Sequence, residues 1–221
     1  PVKSKHIWGA WTEVEDGSLT LNVKRPPEWG GPNKLPLEGL TIALEAGHGG
    51  TNSGAGGLLG TQEKTVNRMA ADALEEELVR RGAEVVQMRP GDSSPRFSRR
   101  LQYAFDANAD IIISIHANAA STAAGYKRGL GTSTYYKYPH NEPLAEALYN
   151  KLRGLDWGDF GVIENFNYSP IRITRTPAVL VEQAFMSDVR EEARLSDPAY
   201  QKKQAFALAE GLEEFLETVK E

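Results

Sequence analysis

The sequence predicts an α/β fold, with a twisted, mostly parallel sheet that has helices on both faces and a short N-terminal β-hairpin before it. From residue 40 onward, short apolar runs alternate with longer stretches whose apolar residues recur at helical spacing. This alternation is typical of parallel strands joined by crossover helices. The chain has 221 residues, enough for one domain with a sizeable buried core.

Residues 1–36 differ in pattern from the rest of the chain. The pair Asp16-Gly17 separates two roughly alternating runs, and an Asp-Gly pair in this position predicts a hairpin. The segment 25–32 is rich in Pro and Gly and interrupts regular structure. We therefore expect a hairpin and linker over residues 1–36, and the main domain over residues 37–221.

Three tryptophans lie in this N-terminal segment: Trp8, Trp11 and Trp29. One interpretation is a surface on which sugars stack. The other is an edge hairpin that packs on the main domain or ends a preceding module, and it is favoured because aromatic residues are ordinary in strands.

The elements after residue 40 follow from the pattern in chain order. Apolar runs predict strands at 40–46, 83–88, 111–115, 131–136 and 178–182. Apolar residues at helical spacing predict helices at 63–81, 97–105, 142–152 and 198–215. Gly82 is expected to end the first helix, while Asp197 and Pro198 are expected to cap and open the last.

Composition excludes several classes of function. The net charge is −5, from 25 basic and 30 acidic residues, and no long basic run indicates a nucleic-acid surface. No apolar stretch approaches the roughly 18 residues needed to cross a bilayer, and the N-terminus shows no signal-peptide pattern. The sequence contains no cysteine, which excludes disulfides, thiolate metal ligands and a cysteine nucleophile.

Four residues that carry chemistry are placed where they could meet. His48 and His116 follow the first and third predicted strands, Glu182 closes the last one, and Glu63 opens the first helix. Sites in open α/β sheets collect beyond the carboxyl ends of the strands, so these side chains are expected at one edge of the sheet.

Two imidazoles and one carboxylate form a zinc site with an open fourth position, which is typical of a catalytic metal. The second carboxylate is then free to act as a base. Taken singly, either histidine could be an ordinary interior histidine, and Glu63 could be a helix first-turn acid. Glu182 is costly to bury after four apolar residues, which favours a functional role.

A glycine-rich loop, 49–60, follows the first strand. It lacks both GxGxxG and GxxxxGK[ST], so a nucleotide site is not favoured. Arg172 and Arg175 could pair with Glu182, bind substrate carboxylates or be solvated. His6 and His140 lie in polar surroundings and are expected at the surface.

Four segments carry a resemblance to a known family: 42–50, 62–67, 113–119 and 177–187. In order and spacing they closely resemble the zinc-dependent N-acetylmuramoyl-L-alanine amidases of the type 3 amidase family. The resemblance runs from about Leu37 to Leu216. It implies a hydrolase that cleaves the amide between N-acetylmuramic acid and the L-alanine of the stem peptide in peptidoglycan.

By this resemblance, His48, Glu63 and His116 would bind one Zn²⁺ per chain, and Glu182 would be the catalytic carboxylate. Arg172 and Asn118 become candidate substrate-binding residues. The resemblance also implies a secreted protein that acts on the cell wall, in the periplasm or outside the cell. We expect a monomer, and the charge pattern predicts no contact with nucleic acid.

Two departures from the family pattern bear on the site. The chain has Glu45-Ala46 where members usually have Asp-Pro, so a longer side chain must meet any supporting role of that acid. Some members carry an autoinhibitory helical insertion before the catalytic glutamate, whereas here the interval leaves room for one helix near 142–152. The site is therefore expected to be open.

Two other functions remain as alternatives. A catalytically silent peptidoglycan-binding or regulatory module would use the same groove, although such a module would be expected to have lost at least one of the four residues. A zinc hydrolase acting on another amide or acyl group would keep all four, and only a substrate assay separates it from an amidase.

Overall fold

A central sheet forms the middle layer of the fold. A computed structural model gives the structure and describes residues 6–120, 130–155, 158–164 and 168–220. Within these residues the sheet has six strands: β3 (Thr41–Ala46), β4 (Glu84–Gln87), β5 (Ile111–Asn118), β6 (Thr132–Tyr136), β7 (Asp159–Glu164) and β8 (Ala178–Phe185). Their spatial order is β4-β3-β5-β8-β6-β7. The first four in this order are mutually parallel, and β6 runs antiparallel to β8 while pairing in parallel with β7.

In the part of the chain that the structure describes, five α-helices accompany the sheet: α1 (Glu63–Arg80), α2 (Phe97–Asp106), α3 (Glu142–Arg153), α4 (Val189–Leu195) and α5 (Pro198–Lys220). The main core lies between one face of the sheet and α1, α3 and α5. A smaller core on the other face joins α2 to Ala43, Ile112 and Ala178. Helices therefore cover both faces, as the sequence predicts, and no described helix is long and apolar enough to cross a membrane.

Two helix ends match the sequence prediction. Gly82 adopts a left-handed backbone with φ of 97°, and its N–H donates to the carbonyl of Val79 at 2.9 Å. At the start of α5, the Asp197 carboxylate accepts from the N–H of Ala199 at 2.9 Å. A glycine past the last turn and an aspartate before the first proline satisfy backbone groups that the helix leaves unpaired.

The N-terminal hairpin pairs β1 (Gly9–Glu15) with β2 (Ser18–Lys24) around the predicted Asp16-Gly17 turn. Trp8, just before β1, is 2% exposed and belongs to the main core. Its Nε1–H donates to the carbonyl of Asp110 at 2.6 Å. This tryptophan therefore packs against the main domain and is not a sugar-stacking surface, while the boundary at residue 36 stays a prediction.

Two elements were not predicted, β7 and α4. The edge strand β7 contains Gly161 with φ of 127° and lacks a clear alternation. The seven-residue helix α4 is mostly charged, and its start is set by capping, because the Asp188 carboxylate accepts from the N–H groups of Arg190 and Glu191. In addition, β5 and β8 each extend three residues beyond their predicted ends.

The parallel strands bring their carboxyl ends together beside a reversal of strand order. The chain passes from β3 through α1 to β4 on one side, and then through α2 to β5 on the other side of β3. Crevices at such reversals are the usual ligand sites of open α/β sheets. The predicted site residues lie at this edge.

Candidate active site

The floor of the site is one face of the sheet. In the parallel pairing of β5 with β8, His116 lies opposite Glu182, and in the pairing of β3 with β5, Glu45 lies opposite Ser114. Alternate residues of a strand share a face, so these four side chains are neighbours on the α2 side of the sheet. His116 and Glu182 are therefore inside their strands, whereas the sequence analysis placed them at strand ends.

His48 reaches the site from a tight turn after β3. Its own backbone is left-handed, with φ of 63°, which is uncommon for a residue with a side chain and is typical of functional sites. Gly47 must lack a side chain, because a Cβ there would lie 2.2 Å from the His116 ring. The imidazole Nδ1–H of His48 donates to Asn52 Oδ1 at 3.0 Å, which leaves Nε2 facing the site.

Glu63, the first residue of α1, connects the two histidines. Its Oε2 lies 3.0 Å from His48 Nε2, and its Oε1 lies 3.0 Å from His116 Nδ1. The N–H of Ala55 donates to Oε2 at 2.8 Å, and the Nδ2–H of Asn67 donates to Oε1 at 3.2 Å. These bonds fix the carboxylate in the orientation that reaches both rings.

The three side chains fit a zinc ion by their donor types and spacing. One ligand atom from each of His48, Glu63 and His116 lies within 4.8 Å of the other two. Zinc bonds to nitrogen and oxygen are about 2.0–2.2 Å long, so ligands in tetrahedral geometry are about 3.3 Å apart. The observed separations of 3.0 Å between the imidazoles and Glu63 are close to this value.

The pKa shifts of His116 and Glu63 also favour a bound cation. Burial alone would lower the pKa of His116, but the carboxylates of Glu45 and Glu63 raise it well above its usual value. Burial would also raise the pKa of Glu63, yet its contacts with His116 and His48 lower it. The group thus stabilises positive charge between its side chains, as a cation site does.

Glu182 stands beside this group without a hydrogen-bond partner for one oxygen. The residue is 6% exposed, and its Oε2 makes no hydrogen bond among the described residues. Burial raises the pKa of Glu182 to about 8, with the charge of His116 acting downward and that of Glu63 upward. A buried carboxylate that is unpaired and basic in this way is a candidate for proton transfer.

Glu45 is equally buried but fully engaged. Its carboxylate pairs with the Arg100 guanidinium and accepts from the Ser114 hydroxyl, and its Oε2 lies 3.5 Å from His116 Nε2. Burial would raise the pKa of Glu45, but His116, Arg100 and Ser114 together lower it to about 2. This carboxylate is therefore held in its charged form.

A cavity of about 410 Å³ opens over the site. Its lining combines the polar groups of the site with apolar side chains. Among the lining residues are His48, Asn52, His116, Glu182, Pro95, Phe97, Tyr168, Ser169, Pro170 and Leu180. Between His116 and Glu182, α3 is the one α-helix in the described residues, and it packs against α5 on the other face of the sheet. In the described part of this interval no α-helix lies over the cavity, and the expectation of an open site stays a prediction.

Comparison with known proteins decides the family. A family model described as N-acetylmuramoyl-L-alanine amidase matches residues 42–214, a span that contains His48, Glu63, His116 and Glu182. The chain belongs to the N-acetylmuramoyl-L-alanine amidase family.

Relatives and solved structures of this family agree in sequence and fold. The chain is 34% identical over 179 residues to N-acetylmuramoyl-L-alanine amidase LytC of Bacillus subtilis, covering 80% of this chain and 36% of LytC. It is 27% identical to the probable cell wall amidase LytH of Staphylococcus aureus, covering 92% and 70%. The catalytic domain of the amidase CwlV of Paenibacillus polymyxa superposes with a TM-score of 0.72 at 32% identity, covering 80% and 98%.

The remaining predicted residues of this amidase-family chain divide by position. Arg172 is exposed and directly follows the 3₁₀ turn Ser169–Ile171 at the cavity wall, and Asn118 is buried at the end of β5. Their role in binding substrate stays a prediction. Arg175 does not pair with Glu182, because its guanidinium is 3.0 Å from Glu13 and stacks on Trp11. His140 is exposed, as expected.

Sequence reasoning missed the supporting residues Arg100 and Asn52, and it raised a supporting role for Glu45 only through the departure from the family pattern. Glu45 interrupts the apolar run of β3, so the cost of burying a charge that drew attention to Glu182 applies to it too. Arg100 lies three residues after Phe97 and four before Ala104 on α2, and therefore on its inward face. Asn52 gave no signal, because its position depends on the fold of a glycine-rich loop.

Proposed function

We propose that the chain is a zinc-dependent N-acetylmuramoyl-L-alanine amidase that hydrolyses the bond between N-acetylmuramic acid and L-alanine in peptidoglycan. The observation that carries the proposal is the arrangement of a three-ligand group, His48, Glu63 and His116, beside the buried carboxylate of Glu182, whose Oε2 has no hydrogen-bond partner among the described residues. The choice of this bond rests on the family to which the chain belongs, N-acetylmuramoyl-L-alanine amidase. A wall amidase acts in the cell envelope, so the proposal includes a periplasmic or extracellular location.

Zinc held by His48, Glu63 and His116 would supply a Lewis acid that polarises the scissile carbonyl and makes a water molecule acidic. Glu182 takes the proton from the attacking water, because its raised pKa makes it a stronger base than an ordinary glutamate. The same carboxyl group then returns the proton to the leaving amine of L-alanine. His116 and Glu182 act from one face of the sheet, while His48 and Glu63 reach the site from the turn after β3 and from the first residue of α1.

The substrate is held by the loops around the cavity in this proposal. Asn52 comes from the glycine-rich loop, and Tyr168, Ser169 and Pro170 come from the segment before β8. The polar stem peptide and glycan would lie between these two walls. A monomer contains the whole site, because every group named here belongs to one chain.

A silent peptidoglycan-binding module is less well supported. Such a module has no need of an unpaired, buried carboxylate beside three potential metal ligands, since burying that charge is costly. Glu182 keeps this costly environment.

The test is digestion of purified peptidoglycan with the zinc-loaded protein, followed by mass analysis of the soluble products. An amidase releases stem peptides that begin with L-alanine and leaves the glycan strands uncut. A chelator should abolish the release, and added zinc should restore it. Binding without release would favour the silent module, and release of other fragments would favour a different hydrolase.

A further inference from the structure

The two histidines of the site present opposite nitrogens to Glu63. His48 faces Glu63 Oε2 with Nε2, and its Nδ1–H donates to Asn52. His116 faces Glu63 Oε1 with Nδ1, and its Nε2 lies 3.5 Å from Glu45 Oε2. A metal-binding imidazole uses one nitrogen and carries a proton on the other, and the partner of the second nitrogen decides which is which.

Glu45 is held in place to be that partner for His116. It is 3% exposed on β3, directly across from Ser114, whose hydroxyl donates to the same oxygen that faces His116. The other carboxylate oxygen pairs with Arg100. Both oxygens of Glu45 have partners, so rotation of the side chain away from the imidazole would break these contacts.

Arg100 ties this carboxylate to the turn of the other histidine. Its guanidinium donates to the carbonyl of Ala46 at 2.9 Å and also to the carbonyl of His48. These two carbonyls stand on either side of Gly47, the residue on which the His116 ring packs. One buried guanidinium therefore fixes the backbone of one histidine and the carboxylate partner of the other.

We propose that Glu45, held by Arg100, is a positioning residue that keeps His116 protonated on Nε2 and directs its Nδ1 to the metal. The inference rests on the zinc site of the proposed function. It assigns a role to an acid that touches neither the substrate nor the reacting atoms. Because Arg100 balances its charge, Glu45 accepts from the imidazole without adding net negative charge to the site.

The first test is zinc affinity, measured by competition with a chromophoric chelator, for the full chain and for Glu45→Gln and Glu45→Asp. In Glu45→Gln, the amide oxygen accepts from Arg100 and the amide N–H faces His116, which favours a proton on the wrong ring nitrogen. Supporting partners of metal-bound histidines are worth about 10–100-fold in metal affinity, so we expect a loss of that size. Glu45→Asp keeps an acceptor and should lose less.

Glu77→Gln is the matched control. Glu77 is also a largely buried glutamate that pairs with a buried arginine, Arg81, at 2.7 Å, but it lies at the far end of α1 from Glu63. Its substitution should lower stability without changing zinc affinity. Equal zinc affinity for Glu45→Gln and Glu77→Gln would overturn the proposal.

The second test reads the tautomer directly, by ¹⁵N NMR of the zinc-loaded parent chain labelled at its four histidines. We expect one site histidine bound through Nδ1 with a proton on Nε2, and a signal that His116→Asn removes. His116 bound through Nε2 would contradict the role of Glu45, even if Glu45→Gln fails to fold. A parent chain that binds no zinc would overturn the proposed function as well, which separates the two failures.

Discussion

Two buried glutamates flank His116, one on each neighbouring strand. They are similarly buried, but they differ in their hydrogen-bond partners and in their pKa values. On the β3 side, Glu45 is paired with Arg100 and Ser114. On the β8 side, Glu182 has no hydrogen-bond partner for its Oε2 among the described residues. Burial raises the pKa of Glu182 to about 8, whereas in Glu45 its partners overcome the same burial effect and the pKa falls to about 2.

The difference shows that partners, and not depth, decide what a carboxylate at this edge does. A carboxylate whose oxygens are both hydrogen-bonded stays charged and holds other groups in place. A carboxylate with an oxygen that lacks a hydrogen-bond partner can exchange a proton near neutral pH. Pairs of acids whose environments separate their pKa values commonly divide the work of acid–base catalysis in this way. In the proposed site the glutamate on the β3 side positions His116, and the glutamate on the β8 side transfers the proton.

The largest expected effect comes from removing the residue between the two glutamates. His116→Ala takes one of three ligands from the metal, and the remaining two cannot close the coordination shell. We expect most of the zinc to be lost, and peptide release with it. Elemental analysis is the measurement, with His140→Ala as the control, because His140 is exposed and outside the group. Full zinc occupancy in His116→Ala would remove this histidine from the ligand set.

A smaller effect is expected from removing the N-terminal hairpin, which contributes no residue to either the Glu45 side or the Glu182 side of the site. A chain that begins at Leu37 loses Trp8, whose ring lies 6.0 Å from that of Phe215 in the core. Loss of a buried tryptophan costs about 3 kcal/mol or more, and about 2–4 °C of Tm follows each kcal/mol in a domain of this size. We expect a Tm lower by about 10 °C with zinc retained.

Point variants of the full chain sharpen this expectation. Trp8→Ala should reproduce most of the loss in Tm, and Trp11→Ala, at a half-buried position on the hairpin, should reproduce little of it. If the shortened chain is insoluble or cannot bind zinc, the hairpin is part of the catalytic domain and the boundary at residue 36 is wrong.

The smallest effect concerns another buried glutamate whose two oxygens both accept hydrogen bonds, Glu192 on α4. It is fully buried and accepts from the N–H groups of Leu59 and Thr61 at 2.6 and 3.0 Å, in the loop before α1. Burial acts upward on its pKa, but these backbone donors lower it. Like Glu45 it should hold structure, so Glu192→Gln should lower the stability by about 1–2 kcal/mol at neutral pH.

The pH dependence of this effect has a definite sign. A lowered carboxyl pKa contributes stability above the ordinary value of 4.5, and this contribution is lost as the pH falls through the folded-state value. The difference in Tm between the parent and Glu192→Gln should therefore shrink below about pH 4.5. Glu217→Gln, at an exposed position on α5, is the control and should leave the Tm unchanged. A difference that grows with acidity would contradict the account.

Much of the fold could be predicted because its signals are local. The apolar runs of β3, β5 and β8 and the caps at Gly82 and Asp197 lie in short stretches of sequence. The structure contains all of these features, although β5 and β8 extend three residues beyond their predicted ends. The elements that were missed, β7 and α4, depend on tertiary contacts. In α4, Glu191 and Glu192 are buried because backbone N–H groups from distant loops donate to them.

The site divides along the same line. His48, Glu63, His116 and Glu182 could be found because each lies on, or next to, an element with a local sequence signal. His116 and Glu182 nevertheless lie inside their strands, which run three residues further than predicted. Their supporting partners could not be found as a set, since Arg100 and Asn52 meet the histidines only after α2 and the glycine-rich loop have folded over the sheet edge.

The central claim is that Glu182 moves the proton while the metal ligands only hold the metal, and Glu182→Gln tests it most directly. The amide keeps the shape of the side chain but removes its basicity. General acid–base catalysis is worth about 10²–10⁴-fold, so peptide release from peptidoglycan should fall by at least that range while zinc content matches the parent. Both are measured on one preparation. Undiminished release by a fully metallated Glu182→Gln protein would contradict the claim.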